Sequence, residues 1–172
     1  MTRTVLIFGL LSGAVAAALS FMTLPFAEQI GFDRSIFVGY TIIVISMLFV
    51  YFGVRAYRDN VLGGRITFGA AFRAGLLITV ISSMCYVAGW LVMYYNFLPD
   101  FGDRYAAYLV ETARASGASA AEIAAKTKEG QDMVAMLENP LINAAVSFIE
   151  PFPVGLLVTL ISAAVLKKQE AA

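Results

Sequence analysis

Apolar residues run along this chain in four long blocks, separated by short polar stretches and one long mixed connection. Residues 4–27 carry no charge and are interrupted only by Pro25. Residues 35–54 and 74–98 are also uncharged, and 140–166 holds a single charge, Glu150. Each block reaches the ~20 residues that cross ~30 Å of hydrocarbon at 1.5 Å per residue. A backbone in lipid must satisfy its polar groups within the segment, so each block predicts a helix. The pattern therefore predicts an all-α protein, a four-helix transmembrane bundle with spans at about 4–27, 35–54, 68–98 and 140–166.

Local signals set the expected boundaries. Pro25 marks the end or a kink of the first helix, Asp33 can cap the second, and Pro99 follows the third. Asn139-Pro140 reads as an N-cap with proline at N1, where the missing N–H costs nothing. The stretch 59–64, Asp-Asn-Val-Leu-Gly-Gly, is turn-like. Thr67 can cap a third helix that starts ahead of its uncharged core, with Arg73 snorkelling to the interface. The first block has one competing reading, a signal peptide with Arg3 before it and Ala14-Val15-Ala16 as a cleavage site. Its apolar run is too long for that, which favours a retained span.

The connection at 99–139 is too long to lack structure of its own. Phe101, Tyr105, Tyr108, Leu109 and Thr112 share one helical face, Gly117 interrupts, and Ser119-Ala120-Ala121-Glu122 spells a capping box. Ile123, Thr127, Val134 and Leu137 then form a weaker stripe. These features predict an extracytoplasmic helical hairpin at 99–139, between the third and fourth spans. Its acids outnumber its bases, which reads as a solvated surface.

Composition supports the bilayer as solvent. The 172 residues, read as one domain, are 60% hydrophobic and only 14% charged, with mean hydropathy +0.79; soluble domains carry about 25% charge. Twelve basic residues balance twelve acidic ones, so nothing in the net charge favours nucleic acid. Histidine is absent, and the single cysteine, Cys85, reads as buried and inert. No phosphate-binding glycine loop, paired-cysteine metal site or serine elbow appears, so no metal, cofactor or enzymatic activity is expected. Arg3, Arg55, Arg58, Arg65, Arg73, Lys167 and Lys168 fall on one side of the predicted topology. Arg34, Arg104, Arg114, Lys126 and Lys128 fall on the other, four of them in a long loop where the rule is weaker. Both termini are therefore expected in the cytoplasm.

Two features break the apolar monotony. Gly9, Gly13 and Ala17, with Ser12, Ala16 and Ser20 beside them, form small-xxx-small rows on the first helix. Such rows permit close helix packing, here read first as packing inside the bundle and second as a homo-oligomer contact. The other feature is Glu150. It lies ten residues past Pro140, about 15 Å of rise, near the bilayer midplane, where a charge costs about 2.5–3.5 kcal/mol. Asn143, Ser147 and Glu150 share one helix face. Pro151 and Pro153 supply no N–H to the carbonyls of Ser147 and Ile149, so the helix is expected to kink or open there, with Gly155 giving room. Tyr86, Tyr94, Ser82, Ser83 and Arg73 are candidate partners of the acid. Thr79, Ser83, Tyr86 and Trp90 are spaced to line the interior, and Tyr94, Tyr95 and Phe97 to form an interfacial belt.

Three stretches carry a family resemblance. They are 65–75 (RITFGAAFRAG), 96–101 (NFLPDF) and 153–164 (PVGLLVTLISAA). Together they resemble domain-of-unknown-function family 4199, a set of small bacterial four-span membrane proteins, over nearly the whole chain. The resemblance implies a bacterial inner-membrane location and no assigned activity. The expected partner is the lipid bilayer. The expected role is non-enzymatic: structural, regulatory or in assembly. The alternative is a small proton- or cation-linked transporter or channel using Glu150.

Overall fold

The computed structural model describes residues 1–168. They form seven α-helices, α1 (Thr2–Thr23), α2 (Ala27–Val61), α3 (Phe68–Phe97), α4 (Phe101–Ala115), α5 (Ala120–Glu138), α6 (Pro140–Ile149) and α7 (Pro151–Leu166), with a 3₁₀ turn at Leu24–Phe26. Among the described residues the all-α expectation holds, and no strand is present beyond a single bridge. Three helical stretches are long and apolar enough to cross a membrane: Thr2–Val61, Phe68–Phe97 and Pro140–Leu166.

The first of these, 60 residues long, would reach about 90 Å if straight, three times a hydrocarbon core. It doubles back instead. Pro25 sits in the 3₁₀ turn, and Gly31 breaks the helical path at φ +65°, ψ +171°, which only glycine adopts cheaply. Beyond the bend the chain returns alongside α1. Ser12 Oγ donates to the Ser46 carbonyl at 2.7 Å, and Gly53 faces Phe8. Asp33 is not the cap expected of it. It lies inside α2, two residues past the glycine that makes the break, and its carboxylate accepts a hydrogen bond from Tyr108 of α4.

Side chains smaller than valine set the helix spacing. A methyl added at Gly9 would meet Ile81 at 2.7 Å, and one at Gly13 would meet Cys85 at 2.2 Å. Ala17 in turn touches the backbone of α3 at Gly89. Gly9, Gly13 and Ala17 therefore pack inside the chain, against α3. Gly75 faces Thr159, and Gly155 faces Thr79, so α3 and α7 run antiparallel in equally close contact. Gly155 does not open space as expected, because Thr79 Cγ2 and Met47 Sδ fill it. Around these seams lies the apolar core of Val5, Ile43, Met47, Val50, Val54, Ile78 and Ala163.

The remaining boundaries follow local capping chemistry. Thr67 Oγ1 accepts from the Ala70 N–H, as expected for the start of α3. Ser119 and Glu122 complete a reciprocal capping box at α5. Asn139 Oδ1 accepts from the N–H groups of Leu141 and Ile142, with Pro140 at the first helical position. α4 and α5 are joined through Gly117, at φ +76°, and pack where Gly130 meets Ala106. Past α7, Lys168 pairs with Ile66 in an antiparallel bridge, which ties the chain's end to the connection before α3. The outward faces of the long helices are apolar, with Leu10, Phe37, Leu48, Met84, Ile149, Leu157 and Val165 all exposed. Such surfaces suit hydrocarbon and not water.

Candidate functional site

The helix around Glu150 is interrupted in its hydrogen bonding, while the backbone of that residue stays helical. Pro151 and Pro153 take the N–H groups away from the carbonyls of Ser147 and Ile149, and α6 gives way to α7 at Glu150. Glu150 itself keeps helical dihedrals, φ −67° and ψ −57°. The expected opening is thus confined to missing bonds. Proline at the first turn of α7 fits the helix there without unwinding it.

One partner holds the acid. The Tyr86 hydroxyl, from the middle of α3, donates to Glu150 Oε2 at 3.0 Å. Of the candidate partners named from sequence, Tyr86 alone bonds it; Tyr94, Ser82, Ser83 and Arg73 do not. Among the described residues no lysine or arginine forms an ion pair with Glu150. Ser82 instead shares a buried hydroxyl contact with Ser12 at 2.7 Å, and Ser83 Oγ is buried with no hydrogen-bond partner among the described residues.

One helical turn and more away, Asn143 forms a tie. It is fully buried. Its Oδ1 accepts from Trp90 Nε1 at 2.9 Å and from Ser147 Oγ at 3.2 Å, and its Nδ2 donates to the Leu137 carbonyl at 3.0 Å. Asn143 thus joins α3, the end of α5 and α6. Three elements meet at one amide, whose carbonyl accepts two hydrogen bonds and whose NH₂ donates one.

Next to this tie lies a cavity of about 700 Å³. Its walls come from the end of α1, the bend at 24–31, the first half of α2, the second half of α3, the start of α4 and α6. Glu150, Ser147 and Tyr86 line it, so three of the six residues proposed for the polar site share it. Asn143 stands behind the wall, and Pro151 and Pro153 shape the backbone without facing the space. Tyr40, Phe32 and Glu28 also line it and carried no signal in the sequence, and Phe101, Tyr105 and Arg104, read there only as parts of the 99–139 hairpin, line it too. They come from segments distant in the chain, and only the bend at Gly31 and the start of α4 bring them together. Phe32 makes edge contacts with Phe101 and Tyr105 at 5.7 and 5.4 Å, and Trp90 meets Phe101 at 5.3 Å. The expected inward row on α3 is real. Thr79 bonds Thr159, Ser83 is buried, Tyr86 bonds Glu150 and Trp90 bonds Asn143.

Residues 7–168 match the protein family described as protein of unknown function, DUF4199. The chain belongs to that family. The match runs from the second turn of α1 to the strand-like bridge after α7, so it takes in every helix that builds the cavity. No curated protein matches the chain, and no solved structure does. Membership in the DUF4199 family brings no activity with it, so function has to be argued from the cavity.

Proposed function

We propose that this is a four-span integral protein of the bacterial cytoplasmic membrane that binds a proton or cation at Glu150, as a small transporter or channel would. The spans are the two legs of the 2–61 hairpin, α3, and α6 with α7 as one unit. Both termini lie in the cytoplasm, with α4 and α5 packed as a helical hairpin on the outer side. The bridge between Ile66 and Lys168 supports this, since it sets the end of the last span beside the connection between the second and third. One observation carries the functional reading: the Glu150 carboxylate, midway along an apolar helical segment, lines a large cavity with the Tyr86 phenol as its one hydrogen-bond partner among the described residues. Ionisable groups at that depth face bundle interiors or water-filled space because lipid cannot solvate them. An acid serving only as glue would be enclosed, and Glu150 is exposed.

The experiment is proton flux into vesicles with a trapped pH-sensitive dye, comparing wild type with Glu150→Gln. Glutamine can still accept the Tyr86 hydrogen bond but cannot carry a proton. Loss of flux supports the reading, and equal flux from both proteins ends it. Labelling of Ser116→Cys in a Cys85→Ser background checks the topology, which is wrong if label enters only from the cytoplasmic face.

The second reading is a non-enzymatic structural, regulatory or assembly role. It is favoured by the Asn143 tie, whose three hydrogen bonds fix α3, the end of α5 and α6 in register. Under it Glu150→Gln is silent, whereas Glu150→Ala lowers thermal stability in detergent. A homo-oligomer through the first helix would have to use the exposed Leu6, Ile7, Leu10 and Leu11 face, since both small-residue rows pack within the chain.

A further inference from the structure

The cavity's chemistry narrows what it can accept. At about 700 Å³ it matches clefts that enclose drug-sized molecules, which span roughly 300–1,000 Å³. It is far larger than a proton or a bare ion needs. Three carboxylates line it, Glu28, Asp100 and Glu150, against one guanidinium, Arg104. That balance disfavours anions. A small, strongly hydrated metal ion is disfavoured too, because it exchanges its water only for a shell of several oxygen ligands. Among the described residues no group of three or more His, Cys, Asp or Glu gathers anywhere. Around Glu150 the cavity is lined by that carboxylate, the Tyr86 phenol and the Ser147 hydroxyl. A polyamine would leave most of its charges facing apolar wall.

The charge distribution also has a direction. Glu28, Asp100 and Arg104 belong to the bend after α1 and to the start of α4, while Glu150 and Tyr86 sit at mid-helix. Between these two polar ends the wall is aromatic, with Trp90, Phe32, Phe101 and Tyr105 in mutual contact. Ring faces attract cations whose hydration is weak, an effect of about 0.5–2 kcal/mol per ring. Acids at the bend and at the start of α4, an aromatic stretch and a lone counter-ion at mid-helix fit one kind of guest. It carries a single positive charge shielded by alkyl or aryl groups.

We propose that this cavity is a binding site for weakly hydrated organic monocations, with Glu150 as the counter-ion and the Trp90–Phe32–Phe101–Tyr105 cluster as the wall they lie against. The site rests on the reading of Glu150 as a binding group, and it assigns that group a substrate class.

Trp90 is the chain's only tryptophan, so tryptophan fluorescence, excited selectively over the tyrosines, reports on this wall alone. The experiment titrates detergent-solubilised full-length protein with tetraphenylphosphonium and, separately, with tetraphenylborate, which has the same shape and opposite charge. Saturable quenching by the cation but not the anion is expected. Quenching should weaken at least about tenfold in Glu150→Gln, through loss of the Coulombic attraction between the carboxylate and the cation at low effective dielectric. In Glu150→Asp, which keeps the charge, it should persist. Equal quenching by both probes, or equal quenching of wild type and Glu150→Gln, overturns the proposal and leaves an unselective apolar cavity. Glu150-dependent proton flux with no tetraphenylphosphonium quenching also overturns it, while sparing the transport reading. Charge-selective quenching without Glu150-dependent flux supports the site and removes transport instead.

Discussion

The same four apolar helical segments meet in two different ways at their two ends. In the half that holds the start of α1, the end of α2, the start of α3 and α7, glycine seats on side chain at every crossing: Gly9 on Ile81, Gly53 on Ile78, Gly75 on Thr159, Gly155 on Thr79. In the other half Gly39 and Gly31 have nothing within 4 Å, and the helices stand around a cavity of about 700 Å³. Lipid tails are as apolar as leucine, so helices in a bilayer adhere by close packing and hydrogen bonds and not by hydrophobic exclusion. The closed half uses the first device. The open half keeps little of it beyond the Ala17–Gly89 contact and depends on the second: the Asn143 tie, the Tyr86–Glu150 bond and the Tyr108–Asp33 bond between α4 and α2. A bundle can thus keep an internal space if directional bonds replace packing along its walls.

This contrast can be broken most forcefully at Asn143. Alanine there would strand the Trp90 N–H, the Ser147 hydroxyl and the Leu137 carbonyl. At about 0.6–1.7 kcal/mol for each hydrogen bond inside a membrane, the loss should total about 2–5 kcal/mol. Thermal unfolding in detergent measures it, and Trp90 fluorescence should show its environment change as the wall loosens. A change below about 0.5 kcal/mol would mean that the open half is held by something other than its polar ties.

The closed half gives the next largest effect. Gly155→Ala would place a methyl 2.4 Å from Thr79 Cγ2, an overpacking that costs about 1–3 kcal/mol. Thr79→Ser removes that methyl and keeps the hydroxyl that meets Thr159, so the double variant should recover much of the loss. Gly39→Ala on the cavity side should be neutral or slightly stabilising, because alanine favours the helix and meets no atom. If both glycines respond alike, the difference between the halves is wrong.

How far these arrangements could be read from the chain depends on range. The caps at Thr67, Ser119–Glu122 and Asn139–Pro140 were legible because each is settled within three or four residues, and the structure has all three. The small rows of α1 were legible as packing surfaces, though not as surfaces for α3 in particular. Asp33 misled because a glycine two residues earlier takes the break, and because Tyr108, 75 residues onward, engages the carboxylate. Gly155 misled for a similar reason, since an absent side chain signals room until its neighbour is known. Glu150 was conspicuous by charge alone, whereas its cavity was invisible, being assembled from the α1–α2 bend, α3, α4 and α6.

The smallest expected effect lies outside both halves, at the start of α5. The Ser119 backbone N–H and hydroxyl both donate to Glu122 Oε2, at 2.7 and 2.8 Å, and hold its carboxyl below the usual glutamate range. A lowered value in the folded chain means that this contribution is complete above the unfolded value of about 4.3 and is lost as pH falls through the folded one. Amide hydrogen exchange in the first turn of α5 should therefore accelerate, relative to its intrinsic rate, as pH drops below about 4.3. Glu122→Gln should flatten that dependence, since an uncharged amide can still close the box. Amides of the closed half, such as Ile78 and Val50, should not respond. A response there would show that the outer helix pair and the closed half unfold together, and that the bundle does not divide where its glycines end.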